Sequence, residues 1–400
     1  MPPPSRDPGV TDPPTPRTLG AGPSAPTVTD PPTSRTLGAG PSAPTVTDPP
    51  TPRTLGAGPS APTLRPMPET FASAHAVDLA VVDRNGFVES RHCGSAVVLD
   101  PAGRVAIELG DIATPVFPRS ALKPFQALAS MRAGVPLRGA QVALACASHV
   151  GSAAHREVVA GMLAAAGLDA DHLRCPSAWP GEEGERIELI RAGLGKSALA
   201  FNCSGKHAAF LWACAENGWD TGTYLEPNHP LQRLVLETIE EFAGETVAHV
   251  AVDGCGAPVP AISLHGLARA VRTLAKAPSD RHADARAATI ATAMLDYAWA
   301  VQGQGRENTV VMDELGVLAK FGAEGVMVLG APDGTSCALK VLDGNGRAAT
   351  LVGLNLLAAA GAVPAAKVAA VLDKVMRPVL GGAAPVGGIR LAAPVATLLD

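Results

Sequence analysis

From residue 76 onward, short runs of alternating apolar and polar positions give way to longer runs with apolar positions three and four apart. The alternation predicts strands at Val77–Val82, Ser95–Leu99 and Val105–Leu109, with turns at Arg84-Asn85-Gly86 and Asp100-Pro101-Ala102-Gly103. Lys123–Ala133 reads as a helix, in which Pro124 is tolerated only in the first turn. Gln141–Ala147 is an almost unbroken apolar run ending at Ser148-His149 and reads as a buried strand. Helical spacing recurs at His155–Ala166, Glu183–Ala192, Lys206–Asn217, Pro230–Ala243, Ala261–Leu274 and Arg281–Ala298. Ala248–Val252 reads as a strand, and Gly325–Gly330 with Ser336–Asp343 as a hairpin around Ala331-Pro332-Asp333-Gly334. Two Ala-rich helices are expected near Ala348–Ala360 and Pro364–Val375. Strands first, a helical middle and a closing hairpin predict an α+β fold: a mainly antiparallel sheet with helices packed on it.

The first 66 residues carry no such pattern. Thr11–Val28, Thr29–Val46 and Thr47–Leu64 are near-identical 18-residue repeats, and 19 of the 37 prolines lie before Met67. A segment with so few sizeable apolar side chains cannot offset its ordering entropy, so residues 1–66 are expected to be a disordered Pro-rich tail. It reads either as a spacer or Pro-rich ligand, or as a dispensable tail with Met67 an alternative start. Residues 67–400 are expected to form the catalytic domain.

Composition narrows the class. With 47% apolar and 17% charged residues the chain matches a soluble globular protein, and a net charge of −5 offers nucleic acid or an anionic membrane no attraction. The N-terminus lacks a signal-peptide pattern and no run of about 20 apolar residues occurs, so a cytoplasmic location is expected. Seven scattered cysteines do not resemble a secreted disulfide framework.

Candidate chemistry lies in the breaks between apolar elements. In Phe-Pro-Arg-Ser-Ala-Leu-Lys-Pro at 117–124, Ser120 precedes Lys123 by three positions. On a helix the two side chains share a face, and a neutral lysine amine can activate a serine. A solvated serine beside a surface lysine is the plain alternative. Ser148 ends the apolar run, and Lys320-Phe321-Gly322 precedes the closing hairpin. The order S-x-x-K, second serine, K-x-G parallels penicillin-binding proteins and class A β-lactamases, but S-x-N and K-T-G are absent. Cys203, Lys206 and Cys255 sit in Gly-containing turns. Two thiolates and an amine could hold Zn²⁺; a Cys203–Cys255 disulfide or two unpaired turn cysteines are the alternatives. Asp253 could receive a substrate ammonium or simply form its turn. His149 and His207 could act in acid–base roles or as hydrogen-bonded scaffold.

These segments together resemble the thermolabile, rhizobial-type L-asparaginase II family. The resemblance runs through G-F-V-E-S-R-H at 86–92, F-P-R-S-A-L-K-P at 117–124, A-S-H at 147–149 and N-C-S-G-K-H-A-A at 202–209. It continues in N-H-P-L-Q at 228–232, V-D-G-C-G-A-P at 252–258 and A-K-F-G-A-E-G-V at 319–326. It implies a serine β-lactamase-like fold, a homodimer and hydrolysis of L-asparagine to L-aspartate and ammonia through an acyl-enzyme. By motif it implies Ser120 as nucleophile, Lys123 as its base, and Ser148 with Lys320 as a second pair relaying protons. It further implies Arg119 and Asp253 at the substrate, His207 beside the metal and within reach of substrate, and Cys203, Lys206 and Cys255 on zinc. Two segments depart from the pattern. Ser-His is followed by Val150-Gly151-Ser152 instead of Ser-Gly-Glu, and Gly-Gly-Thr-Gly-Arg is reduced to Gly303-Gln304-Gly305-Arg306. The rival expectations are a penicillin-recognising serine hydrolase and a catalytically weakened zinc-binding scaffold.

Overall fold

A computed structural model describes residues Pro68–Asp400; the repeats and the tail expected for residues 1–66 lie outside the described residues. Strands β1 (Val77–Arg84), β2 (Phe87–Leu99) and β3 (Val105–Leu109) open the chain. Helices α1 (Lys123–Arg132), α2 (Ala140–Ala145), α3 (Ala153–Ala165), α4 (Glu183–Arg191), α5 (Ser204–Asn217) and α6 (Pro230–Ala243) follow. A small hairpin, β4 (His249–Val252) and β5 (Pro258–Ala261), leads to α7 (Leu264–Lys276), α8 (Ala285–Asp296), α9 (Ala298–Val301) and α10 (Glu307–Leu315). Then come β6 (Leu318–Gly322), β7 (Val326–Gly330), β8 (Ser336–Val341), α11 (Ala349–Ala359) and α12 (Ala365–Val375). Short strands β9 (Val379–Gly381), β10 (Ala384–Gly387) and β11 (Ile389–Leu391) and the turn-length α13 (Ala393–Ala396) close the chain.

The main sheet has the order β11-β1-β2-β8-β7-β6, every pairing antiparallel, with β3 lying along the second half of the long β2. The α+β expectation holds. Strands β7 and β8 are buried along their whole length, which explains their unbroken apolar runs. Successive residues of a strand face opposite sides of a sheet. On β7, Gly330 meets Val271 and Ala275 of α7, whereas Leu329 meets Gly353 of α11. Helices therefore cover both faces, and β6 is left as the edge strand beside the helical layer.

Three sequence expectations need correction. Gln141–Ala147, read as a buried strand, is instead helical over Ala140–Ala145 and turns out of the helix at Cys146. Ala-Gln-Val-Ala-Leu-Ala is rich in the strongest helix former, and a run this short has no period to separate the two states. Strand β6, which carries Lys320, has a weak signal in the sequence, because the apolar run Val317-Leu318-Ala319 before the lysine is only three residues long. The C-terminal β9–β11 were likewise hidden in a Gly- and Ala-rich stretch of low strand propensity.

Two glycines are fixed by close approach. A Cβ on Gly322 would collide with Pro118 O, so glycine lets β6 lie against the turn carrying Ser120. A Cβ on Gly205 would collide with Leu144 O, so glycine lets the start of α5 meet the end of α2. Both contacts draw site-bearing segments together.

Candidate active site

Ser120 lies in a 3-10 turn, Arg119–Leu122, that runs into α1, where Pro124 occupies the first turn. In such a turn residues three apart eclipse, so Ser120 and Lys123 share a face. The residue before Ser120 is strained: Arg119 has φ of +54°, a conformation few non-glycine residues adopt. Strain of this kind collects where surrounding structure over-determines a functional residue. Here the Arg119 Nε donates to Asp253 Oδ1 at 2.7 Å, across from the β4–β5 turn.

The amine of Lys123 is buried and is engaged with Ser148, not with Ser120. Its Nζ donates to Ala147 O at 2.6 Å, Ser148 Oγ at 2.9 Å and Asn202 O at 3.4 Å, which uses all three of its hydrogens. Lys320 Nζ is also 2.9 Å from Ser148 Oγ and donates to Phe321 O at 2.7 Å. Burial, and then the positive charge of Lys123, hold the Lys320 amine well below the ordinary lysine range. A neutral Lys320 offers a lone pair, so the Ser148 hydroxyl can donate to it while accepting from Lys123. Ser148 is 4% exposed, whereas Ser120 is only partly buried and has no side-chain hydrogen bond among the described residues. The accessible hydroxyl and the activated hydroxyl are thus different serines.

The turn behind Ser148 is held by a tautomer-defined network. Gly151 N–H donates to His149 Nδ1 at 3.0 Å, so Nε2 carries the hydrogen and donates to Ser204 Oγ, also at 3.0 Å. Ser204 in turn donates to Leu199 O at 2.8 Å. His149 stacks on His155 with centroids 4.9 Å apart. Burial, with the charges of His155 and Lys123, keeps His149 well below its usual value. It is a neutral scaffold group. The network also ties Ser148 to the start of α5, and thereby to Cys203.

Cys203, Lys206 and Cys255 converge as buried groups, and all seven cysteines are free thiols, so the disulfide alternative falls away. Lys206 Nζ lies 3.2 Å from Cys255 Sγ. Cys255 is the thiol held ionised: the neighbouring Cys203 thiol, the Lys206 ammonium and His207 outweigh its burial. Burial works against the Lys206 charge, but Cys255, Cys203 and Asp253 together raise it. His207 is fully buried. Arg174 N–H donates to Tyr224 Oη at 3.0 Å, so the Tyr224 hydroxyl donates to His207 Nδ1 at 2.7 Å and leaves the hydrogen on Nε2. Among the described residues that Nε2 meets no nitrogen or oxygen partner, and it lies beside the Cys255 thiolate. Among the described residues no three His, Cys, Asp or Glu side chains gather as a metal site; here the third donor is a lysine. Two sulfurs and the Lys206 amine, which must give up its proton to ligate, form a donor set that suits Zn²⁺, with His207 beside Cys255 as a supporting group.

Sequence reasoning missed Tyr224, Asn202 and Ser204 as supports. Tyr224 is one of only two tyrosines, which was its sole signal.

The L-asparaginase II family profile matches residues 80–391, a span that contains every residue of the site. The chain belongs to the L-asparaginase II family. No curated protein matches the sequence significantly. Among solved structures, Mglu aligns at 15% identity over 66% of this chain and 66% of its own, with a TM-score of 0.37. A second Mglu structure, in 4.3 M NaCl, is covered over 60% of its length, so the chain spans less than two thirds of these relatives. A Bacillus glutaminase aligns at 14% identity over 68% and 92% of the two chains, with a TM-score of 0.33. A Mycobacterium bovis β-lactamase aligns at 16% identity over 70% and 94%, with a TM-score of 0.29. Among the described residues no helix is long and apolar enough to cross a membrane.

Proposed function

We propose that this protein is an amidohydrolase that hydrolyses L-asparagine to L-aspartate and ammonia, with Ser120 as nucleophile and a Lys123–Ser148–Lys320 relay as its base. The observation that carries the reading is Ser148 Oγ held 2.9 Å from both lysine amines. Neutral Lys320 takes the Ser148 hydroxyl proton, Ser148 takes one from Lys123, and Lys123 becomes a neutral amine eclipsed with Ser120. Lys123 then accepts the Ser120 proton as Oγ bonds to the amide carbon. Collapse of the tetrahedral adduct breaks the C–N bond, and Lys123 protonates the departing ammonia. Water attacks the ester, gives its proton to the same relay, and releases aspartate and free Ser120.

The substrate's two charged ends have a natural clamp. Asp253 Oδ1 is committed to Arg119 and to Gly254 N–H, while Oδ2 has only the long 3.9 Å contact with Cys255 Sγ and could receive an α-ammonium. The Arg119 Nη groups have no partner among the described residues and suit an α-carboxylate. Cys203, Lys206 and Cys255 would hold Zn²⁺, with the buried His207 supporting Cys255 beside the metal and within reach of substrate. When bound, zinc would supply a positive charge that orients substrate. A homodimer is part of the same reading.

Ammonia release measured with L-asparagine and with L-glutamine tests the function: turnover of asparagine is expected to exceed that of glutamine. Release from neither amide would refute it, and covalent labelling by a β-lactam would favour the penicillin-recognising alternative. For the metal, Cys255→Ser is expected to lower the zinc content of the purified protein by more than half. Undiminished zinc in that variant would remove Cys255 from the ligand set.

A further inference from the structure

A cavity of about 320 Å³ lies behind the catalytic edge strand, at the lower end of the range for small-ligand sites. Its floor is apolar, from Val326, Met327 and Val375, while Arg306, Arg347, Lys374 and Arg377 reach it from the surrounding segments. Glu307 is the one acid in its lining. Two of the four cations are already neutralised, Arg306 by Glu182 at 2.6 Å and Lys374 by Glu314 at 2.7 Å. The other two are not. Arg377 has no ion pair or hydrogen bond among the described residues, although the Glu307 carboxyl lies near enough to feel its charge. Arg347 is held only by uncharged acceptors: its Nε donates to His92 Nε2 at 2.8 Å and its Nη2 to Ser90 Oγ at 3.3 Å.

The hold on Arg347 is built from the interior. A guanidinium can only donate, so His92 Nε2 accepts and His92 Nδ1 carries the hydrogen to Asp343 Oδ2 at 3.0 Å. His92 is 2% exposed. The buried His92, backed by the exposed Asp343 carboxylate, thus fixes the direction of the arginine, and Arg347 Nη1 has no hydrogen-bond partner among the described residues. Two uncommitted guanidiniums over an apolar floor suit a small carboxylate with a short alkyl body, or another oxyanion.

The cavity shares a wall with the chemistry. Phe321 lines it, while the Phe321 carbonyl accepts from Lys320 Nζ and the Phe321 ring centroid lies 4.3 Å from that nitrogen. We propose that this cavity is a second, anion-binding site for a small carboxylate or oxyanion, separate from the substrate clamp, whose occupancy acts on Lys320 through Phe321. The effect on turnover rests on the catalytic reading of Lys320; the binding does not.

The test is calorimetric titration of the full chain at low salt with sodium succinate and with sodium phosphate. Both probes lack the ammonium that Asp253 would hold. Saturable binding of either anion is expected, weakening as salt is added, and preference for succinate or phosphate distinguishes an organic carboxylate from an inorganic source. The Arg347→Met/Arg377→Met variant should bind at least about tenfold more weakly, while Ser120→Ala should bind as the wild type does. Arg377→Met alone guards against misfolding, since Arg377 makes no hydrogen bond or ion pair among the described residues, and it should weaken binding in the same direction. No saturable binding, or undiminished binding in folded arginine variants, would overturn the site. Binding that leaves asparagine turnover unchanged would overturn the coupling through Phe321, and failure of asparagine turnover altogether would count against the catalytic reading alone.

Discussion

Ser120→Ala is expected to reduce ammonia release from asparagine by several orders of magnitude, on the order of 10⁴- to 10⁶-fold, as loss of a serine nucleophile does elsewhere. The fold should tolerate the change. Ser120 makes no side-chain hydrogen bond among the described residues, so no buried partner is stranded, and alanine suits a short helical turn. Thermal denaturation and ammonia release measured together separate the two effects. The paired substitution Ser148→Ala should also be severe, but with a different signature. It strands two lysine amines in the interior, so stability should fall along with rate. If Ser120→Ala kept wild-type turnover while Ser148→Ala abolished it, the nucleophile would be Ser148 and the assignment of roles would reverse.

That division of roles marks where sequence reasoning stops. The S-x-x-K spacing placed Ser120 and Lys123 on one face correctly, since a 3-10 turn preserves the eclipse. It could not show that the amine turns inward to Ser148, because that depends on Ala147 O and Asn202 O, acceptors from distant segments. Pro230–Ala243, with its proline start and strong amphipathic period, is the same helix in sequence and structure. Gln141–Ala147 is not, because a short run dominated by alanine and aliphatic residues packs equally well as strand or helix. The thiol cluster was legible as residue types in Gly-containing turns, but not the ionisation of Cys255 over Cys203. That asymmetry comes from Lys206 and His207, brought to Cys255 only by the tertiary fold. The cavity behind Phe321 had no linear signal at all: its cations come from three separate segments, at 306, 347 and 374–377.

Lys320→Met should separate catalysis from stability more sharply than any other change. Lys320 is fully desolvated, and burial followed by the Lys123 charge depresses its pKa, with Cys203 and Cys146 pulling the other way. A lysine with a folded-state pKa below its unfolded value binds fewer protons folded than unfolded between those two values. Stability contributed by this residue therefore rises with pH across that window, and its cost is greatest below the folded pKa. Methionine fills similar volume without a charge to desolvate, so Lys320→Met should be at least as stable as wild type at neutral pH, with a flatter dependence of stability on pH. Turnover should go the other way. Removing a positioned base costs roughly 10²- to 10⁴-fold, and the loss should fall on kcat, because Lys320 touches Ser148 and not the Arg119–Asp253 clamp. In the wild type, kcat should climb with pH as Lys320 loses its proton and level off above its depressed pKa; the variant should lack that limb. A more stable protein with a collapsed kcat and no acid limb is what a buried amine kept for proton transfer predicts. A less stable variant with undiminished kcat would instead make Lys320 a structural residue, and the relay through Ser148 would have to be abandoned.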